Sequence, residues 1–231
     1  MITVRRADDR GHADFGWLNT YHTFSFGRYI DRNHMGFRVL RVINEDWVQG
    51  GQGFPTHPHD NMEIITYVLE GSLEHRDSMG TGSVIRAGDV QHMSAGSGIT
   101  HSEFNHDAEK PVHLYQIWLL PKERDIEPHY DQRTIAERDK QNTLLLLASP
   151  DGAAESIAIN QDARLYLTAL DGSTVSHKLQ PGRHAWVQVT KGTLNVNGER
   201  VRAGDGVPLS DESEVNLASD EQAEVLLFDL P

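Results

Sequence analysis

The sequence contains no cysteine and no long apolar run, and each absence excludes a class of protein. Without cysteine there are no disulfides, thiolate nucleophiles or thiolate-bound metals, so imidazole and carboxylate groups must hold any metal. The apolar runs, such as residues 144–148, are far too short to span a bilayer, and residues 1–12 lack the features of a secretion signal. We therefore expect a soluble, cytoplasmic protein.

Basic residues are also scarce relative to acidic ones. The chain has 21 Lys and Arg against 34 Asp and Glu, which gives a formal net charge of −13 at pH 7. An acidic chain without a basic patch repels phosphate backbones and anionic lipid surfaces. We therefore expect no direct nucleic-acid partner and no membrane partner.

Helical periodicity is rare in this sequence, whereas short β-rich runs separated by turn residues recur. This pattern is typical of an all-β sandwich or barrel, and 231 residues suffice for one large or two small domains. The predicted strands include Phe37–Ile43, Met62–Leu69, Val84–Arg86, Leu114–Leu120, Trp186–Val189 and Val225–Phe228.

A weak internal repeat divides the chain. The segment 68–73 (VLEGSL) resembles 189–194 (VTKGTL), and the turn sequence RAGD occurs at both 86–89 and 202–205. Each half is therefore predicted to be one copy of a similar barrel. We place the first barrel at 1–125 and the second at 143–231, with the charged segment 126–142 as a linker carrying at most one helical turn.

Two short motifs in the first half combine metal-binding side chains. In His57-Pro58-His59 and in His101-Ser102-Glu103 the two ligand side chains are separated by one residue, so on a strand both point to the same face. If these strands meet inside a barrel, three imidazoles and one carboxylate converge on one metal and leave one or two of its coordination positions open. The alternative is that surface or hydrogen-bonded histidines alternate here by chance.

Long segments around these motifs resemble a known family. The segments 51–71 (GQGFPTHPHDNMEIITYVLEG) and 93–103 (MSAGSGITHSE) are similar to the signature segments of the pirin family, within the cupin superfamily. Residues 10–26 (RGHADFGWLNTYHTFSF) resemble bacterial pirins as well. The resemblance covers about residues 1–120, and beyond that it rests on the degenerate repeat.

The resemblance implies a bicupin, that is, two β-barrel domains in one chain, with one metal in the N-terminal barrel. The metal ligands would be the residues that match the family motif, namely His57, His59, His101 and Glu103. For bacterial members it implies quercetinase activity, in which a flavonol is cleaved by O2 and carbon monoxide is released. Animal members are instead nuclear, iron-dependent co-regulators of transcription.

One acidic residue departs from the pattern of many cupins. Seven residues lie between Glu63 and Gly71, whereas the glutamate ligand of many cupins has six residues before this glycine. We therefore expect Glu63 to be out of register and Glu103 to supply the carboxylate. Glu63 would then be structural, or would orient a metal-bound histidine.

The second half is expected to lack a metal. Shifting the motifs by the repeat spacings carries the four candidate ligands onto residues that cannot replace them as a set. These residues are Lys178, Gln180, Leu217 and Ser219.

The resulting hypothesis is a monomeric dioxygenase with one divalent transition metal. Fe(II) is favoured, and Cu, Ni, Mn, Co or Zn are possible. Coordination would lower the pKa of a flavonol hydroxyl, and Glu103, the one acidic ligand, is expected to be the general base. His75 and His92 are interpreted as strand or turn residues that could line the site. Four aromatic residues are interpreted as core residues that could instead line a pocket for a flat substrate, namely Trp17, Phe24, Phe26 and Phe37.

Two other functions remain open. The metal could stabilise or switch a surface that binds another protein, as in a non-enzymatic regulatory pirin. A related cupin reaction, such as isomerisation or oxidation of another small enol, would use the same ligands, because one fold serves many reactions.

Overall fold

The computed structural model describes residues 2–231, and its backbone contacts divide the chain into two compact units. The N-terminal barrel comprises Gly11–Ile135 together with Ile159–Gln161. The C-terminal barrel comprises the described residues up to Arg10, then Ala136–Ala158 and Asp162–Pro231. Across residues 2–231, no helix has the length and apolar character needed to cross a membrane.

The N-terminal barrel consists of eleven strands in two antiparallel sheets. The strands are β1 (Gly11–Asp14), β2 (Leu18–His22), β3 (Leu40–Val48), β4 (Gly53–His59), β5 (Glu63–Glu70), β6 (Ser72–Asp77), β7 (Gly82–Arg86), β8 (Asp89–Ser94), β9 (Ile99–Asn105), β10 (Val112–Leu119) and β11 (His129–Thr134). The larger sheet has the order β1-β2-β3-β10-β5-β8-β11, and the smaller has the order β4-β9-β6-β7.

The C-terminal barrel contains ten strands and one helical turn. They are α1 (Glu137–Lys140), β12 (Leu145–Ser149), β13 (Ile157–Ala158), β14 (Arg164–Leu170), β15 (Ser173–Lys178), β16 (His184–Lys191), β17 (Thr193–Val196), β18 (Glu199–Arg202), β19 (Gly206–Leu209), β20 (Glu214–Ser219) and β21 (Ala223–Leu230). The sheets have the orders β13-β12-β14-β21-β16-β19 and β15-β20-β17-β18. Single 3-10 turns lie at Ala7–Asp9 and Ala153–Glu155.

Apolar side chains from both sheets of the N-terminal barrel form its core. Val68 and Leu114 of the larger sheet share one buried cluster with Leu73 and Ile85 of the smaller sheet. This arrangement follows from strand periodicity, because alternate residues point to the same face and facing sheets bury those faces together.

The predicted internal repeat is confirmed by the strand order. The order β3-β10-β5-β8 in the first barrel recurs as β14-β21-β16-β19 in the second, and β4-β9-β6-β7 recurs as β15-β20-β17-β18. The same hydrogen bond also occurs within each of the two RAGD turns. The backbone N–H of Arg86 donates to Asp89 Oδ2 at 2.8 Å, and that of Arg202 donates to Asp205 Oδ2 at 3.1 Å. The all-β bicupin architecture is therefore confirmed.

The observed division of the chain differs from the predicted boundaries 1–125, 126–142 and 143–231. The segment predicted as a linker contains β11, which pairs with β8 at the edge of the larger sheet, and the units divide between Ile135 and Ala136. Residues 2–10 belong to the C-terminal barrel, where Arg5 and Gly206 exchange two backbone hydrogen bonds of 2.8 Å. β11 is polar and largely exposed, so its sequence lacks the apolar alternation by which strands are recognised.

Candidate metal centre

Three histidines converge on the inner face of the smaller sheet of the N-terminal barrel. His57 on β4 lies directly opposite His101 on β9, and their ring centroids are 4.4 Å apart. The ring of His59 lies 4.9 Å from each of the other two rings. One ring nitrogen from each histidine lies within 4.8 Å of the others, so the three side chains could hold a metal ion.

Hydrogen bonding leaves ring nitrogens of this triad available. Nδ1–H of His57 donates to the carbonyl oxygen of Pro55 at 2.8 Å, so the lone pair of its neutral ring is on Nε2. His101 is buried, and its Nε2 has no hydrogen-bond partner. An unpaired buried polar atom is costly, and a metal ion would satisfy it. The residues present therefore fit a bound metal.

Electrostatics favours the neutral, metal-binding form of two of these histidines. Burial, together with the neighbouring rings of His101 and His57, lowers the pKa of His59 to about 4. Burial likewise lowers the pKa of His101 to about 3, with contributions from His57 and His75. Both imidazoles are therefore unprotonated at neutral pH, as a metal ligand must be.

The carboxylate of Glu103 lies on the same strand as His101 and is held by an amide. Nε2 of Gln116, on β10, donates to the two carboxylate oxygens of Glu103 at 3.2 and 3.0 Å. The indole N–H of Trp118 in turn donates to Gln116 Oε1 at 3.3 Å. Glu103 and His101 form a second possible metal-holding group with His75, so His101 is common to both groups.

A buried His–Asp pair lies behind His101. His75 and Asp77 on β6 have fully buried side chains, and His75 Nε2 lies 3.0 Å from Asp77 Oδ2. His75 Nδ1 lies 3.4 Å from Nδ1 of His101. From the sequence, the role of His75 stayed open, and Asp77 was not among the predicted site residues. The spacing His75-Arg76-Asp77 equals that of the two ligand motifs and could have revealed the pair.

Glu63 lies outside this centre. Its carboxylate pairs with His92 Nε2 at 2.8 Å and accepts hydrogen bonds from the Ser94 hydroxyl at 2.5 Å and the Asn160 backbone N–H at 2.9 Å. Burial alone would raise the pKa of Glu63, but the hydrogen bonds from these three partners outweigh it and lower the pKa. Glu63 is thus bound to a histidine that belongs to neither possible metal-holding group.

A cavity of about 860 Å³ opens beside the triad, entirely within the N-terminal barrel. Its walls combine aromatic side chains, including Phe26, Phe54 and Trp118, with the candidate ligands His57, His59 and Glu103. Of the other aromatic residues considered from the sequence, Phe24 is buried, Trp17 packs edge to face on Phe54, and Phe37 forms a backbone-bonded turn with Leu40.

Polar residues of β2, β3 and β10 form one wall of this cavity. Thr20 lies opposite Asp46 in the sheet register, and His22 lies opposite Asn44, whose amide oxygen is 2.8 Å from His22 Nδ1. Burial raises the pKa of Asp46 to about 7. The Thr20 hydrogen bond opposes this shift, and the charges of Glu103 and Glu45 add to it. The cavity is therefore lined by a second carboxyl group, that of Asp46, besides Glu103.

The equivalent position in the C-terminal barrel is apolar. β15 and β20 correspond to β4 and β9, and there Val175 lies opposite Leu217, packed against the barrel core. The residue opposite Leu217, onto which the repeat spacing carried His101, is thus Val175 and not Lys178, onto which that spacing carried His57. His177 pairs with Asp229 at 2.8 Å, and His184 Nδ1 lies 2.9 Å from the Ser210 hydroxyl. Within residues 2–231, both possible metal-holding groups lie in the N-terminal barrel.

The described residues 2–231 form two barrels of one strand order, and of these only the first brings histidines together beside a cavity. This arrangement defines a bicupin with one candidate metal centre in the described part of the chain. Comparison with known proteins agrees with this class. The Pirin family model matches residues 3–119, and the model described as Quercetinase C-terminal cupin domain matches residues 146–230. The chain belongs to the pirin family.

Similar proteins cover the chain from end to end. Quercetin 2,3-dioxygenase of Escherichia coli (strain K12) is 49% identical over 100% of this chain and 99% of its own length. The Pirin-like protein of Caulobacter vibrioides is 39% identical over 99% of each chain. The crystal structure of the bacterial pirin YhhW of E. coli in complex with nickel(II) has a TM-score of 0.95 and 47% identity, over 100% of this chain and 99% of that one.

These relatives bear on the predicted class of protein. The expectation of an enzyme is confirmed, and its class is that of the dioxygenases.

Proposed function

We propose that this chain is a metal-dependent dioxygenase that cleaves a flavonol such as quercetin with O2 and releases carbon monoxide. The observation that carries the proposal is the convergence of three imidazoles at the wall of a cavity of about 860 Å³. The names of the relatives supply the substrate class, since the E. coli protein is called quercetin 2,3-dioxygenase.

The proposed ligands are His57, His59, His101 and Glu103. Their nitrogen and oxygen donors suit a divalent transition metal, and we propose Fe(II) first, with Ni, Cu, Mn, Co or Zn as alternatives. When bound, the metal would act as a Lewis acid that makes the substrate hydroxyl more acidic and the substrate a better electron donor. The unpaired Nε2 of buried His101 supports this assignment.

The cavity wall supports a planar aromatic substrate. The volume of the cavity lies within the range of about 300–1,000 Å³ typical of small-molecule sites. Phe26 and Phe54 supply aromatic surface, and the Trp118 ring lies 5.0 Å from that of His59. Such surfaces bury a flat polyphenol and exclude water from its reacting ring.

Glu103 is the proposed general base. It is buried beside the cavity, and Gln116 donates hydrogen bonds to both of its oxygens, which fixes the direction of the carboxylate. In this role Glu103 takes the proton of the substrate hydroxyl as the flavonol binds, and it holds that proton near the reacting ring.

A metal-reconstitution assay tests the proposal. The protein is stripped with a chelator, reloaded with one metal at a time, and assayed for O2 uptake, loss of flavonol absorbance and carbon monoxide release. We expect all three signals together with at least one metal, and none from the metal-free protein.

The matched control is the double variant His57→Ala/His59→Ala, which removes two partly buried proposed ligands. It should abolish turnover, and circular dichroism should show that the fold is retained. Absence of turnover for several flavonols with every metal would reject the enzymatic proposal and favour a metal-dependent protein-binding role.

A further inference from the structure

We infer that Asp77 and His75 are positioning residues for the candidate metal centre, because they fix the proton of His101 on Nδ1 and leave its Nε2 free to bind the metal. This inference rests on the metal site of the proposed function. It concerns a hydrogen-bonded chain, Asp77–His75–His101, that lies behind the ligand and outside the substrate cavity.

The first link of the chain fixes the proton of His75. Asp77 Oδ2 lies 3.0 Å from His75 Nε2, and both side chains are inaccessible to solvent. Burial alone would raise the pKa of Asp77, but hydrogen bonds from His75 and from the backbone N–H groups of Thr81 and Met79 outweigh it and lower the pKa. An ionised carboxylate only accepts hydrogen bonds, so His75 carries its proton on Nε2.

The second link passes this orientation to His101. In the tautomer of His75 with its single proton on Nε2, a lone pair is on Nδ1, which lies 3.4 Å from His101 Nδ1. A hydrogen bond between these nitrogens requires His101 to donate, so His101 carries its proton on Nδ1. Its Nε2 is then unprotonated, and this is the buried atom without a hydrogen-bond partner.

The opposite assignment costs more free energy. If His75 donated from Nδ1 to His101, the proton of neutral His101 would lie on Nε2, where no acceptor is present. That arrangement would bury an unsatisfied donor, which is unfavourable, and would block the metal position. The carboxylate at the far end of the chain selects the tautomer that can bind a metal.

The sheet register holds the chain in place. β6 pairs with β9 such that Asp77 lies opposite His101 and His75 lies opposite Glu103. The ring of Tyr130, on β11, packs 4.8 Å from the ring of His75, and its hydroxyl is hydrogen-bonded to Ser83. These contacts restrict rotation of the His75 ring.

The inference also separates two roles for His75. Its donor atom lies close enough to those of His101 and Glu103 for the three to hold a metal together. In the proposed chain both nitrogens of His75 are already used, one by Asp77 and one by His101. His75 is therefore assigned to orienting His101 and is excluded as a metal ligand.

The test substitutes Asp77→Asn. Asn keeps the oxygen that accepts the backbone N–H groups of Met79 and Thr81 at 2.9 and 3.0 Å, so the turn is preserved. Its NH2 group can donate to His75 Nε2, which moves the His75 proton to Nδ1 and the His101 proton to Nε2. We expect Ni²⁺ affinity to fall about 10–100-fold, as is typical when an outer hydrogen-bond partner of a ligand is lost.

The second measurement reads the tautomers directly. Long-range ¹H–¹⁵N NMR of the metal-free protein should show His101 protonated on Nδ1 and His75 protonated on Nε2. Both assignments should reverse in Asp77→Asn. Circular dichroism and thermal unfolding establish that the variant is folded.

The matched control is Glu63→Gln. It alters an equally buried carboxylate–histidine pair, Glu63 with His92 at 2.8 Å, which contacts no candidate ligand. Ni²⁺ affinity should remain unchanged in this control.

Three results would overturn the inference. They are wild-type His101 protonated on Nε2, unchanged Ni²⁺ affinity in folded Asp77→Asn, and an equal loss of affinity in Glu63→Gln. The expected tautomers and affinities without flavonol turnover would instead reject the proposed substrate and leave the positioning role intact.

Discussion

His57 lies directly opposite His101 across β4 and β9, with ring centroids 4.4 Å apart, and this pair marks the difference between the two barrels. In the corresponding strand pair of the C-terminal barrel, β15 and β20, the apolar residues Val175 and Leu217 lie opposite each other. The same strand order therefore brings candidate metal ligands together in one barrel and apolar side chains in the other.

The first prediction concerns metal stoichiometry. Because Val175 and Leu217 offer no ligand atom, we expect one transition metal per chain, measured by elemental analysis after equilibrium dialysis. The variant His57→Ala/His59→Ala should bind none with high affinity. The variant His106→Ala, which changes a histidine about half exposed to solvent, should bind one. A second tightly bound metal would contradict the apolar assignment of the C-terminal barrel.

Replacing Glu103 by Gln should separate metal binding from catalysis. The amide oxygen can still face the metal but cannot take a proton, so turnover should fall about 10²–10⁴-fold while metal content falls far less. Steady-state kinetics and elemental analysis of the same preparation measure both.

The control for this variant is Glu45→Gln, which alters a buried carboxylate that pairs with His113 at 3.0 Å and does not line the cavity. Comparable loss of turnover and metal in Glu103→Gln would remove the case for a general base.

The raised pKa of Asp46 predicts a pH-dependent stability. Its pKa is about 7 in the folded chain against an ordinary value of 3.8, so between these values the folded state binds more protons than the unfolded state. The free energy of unfolding should therefore fall as pH rises from about 4 to 7, by at most about 4 kcal/mol from this group.

Asp46→Asn stays neutral and should escape this loss. Metal-free variant and wild type are compared by urea denaturation at pH 5 and pH 8, and the variant should gain relative stability at pH 8. An identical difference at both pH values would show that Asp46 ionises without penalty.

A buried ion pair in the C-terminal barrel should control its stability. Lys140 Nζ lies 2.8 Å from Glu224 Oε2, both residues are buried, and the Thr190 hydroxyl donates to Glu224 Oε1 at 2.9 Å. Glu224→Gln leaves the lysine charge without its buried partner, so the free energy of unfolding should fall by about 3–5 kcal/mol.

The control for the ion pair is Glu137→Gln. Glu137 contacts the same lysine at 2.9 Å, but its side chain is 79% exposed, so the loss should stay below about 1 kcal/mol. Chemical denaturation of the two variants gives the comparison, and equal effects would refute the importance of burial.

Local sequence was sufficient wherever strand periodicity alone decides. The pairs His57/His59 and His101/Glu103 each place two side chains on one face of a strand, and the repeated RAGD turn predicted the second barrel. The sequence could only predict that these two pairs meet in space. Their meeting depends on β4 and β9 pairing with His57 opposite His101, and local sequence does not encode that register.

What only the tertiary structure decided depends on register and burial. The Asp77–His75–His101 chain exists because β6 pairs with β9, and the pKa of Asp46 is raised because the packed barrel removes it from water. β11 lacks the apolar alternation typical of a strand, so its segment was predicted to be a linker. The repeat spacing between Gly71 and Gly192 did not predict that Val175 lies opposite Leu217, because that pairing depends on cross-strand register. The sequence by itself determined the types and spacing of the candidate ligands, since these are properties of a single strand. The tertiary structure decided their neighbours, since cross-strand register and desolvation arise only when distant segments pack together.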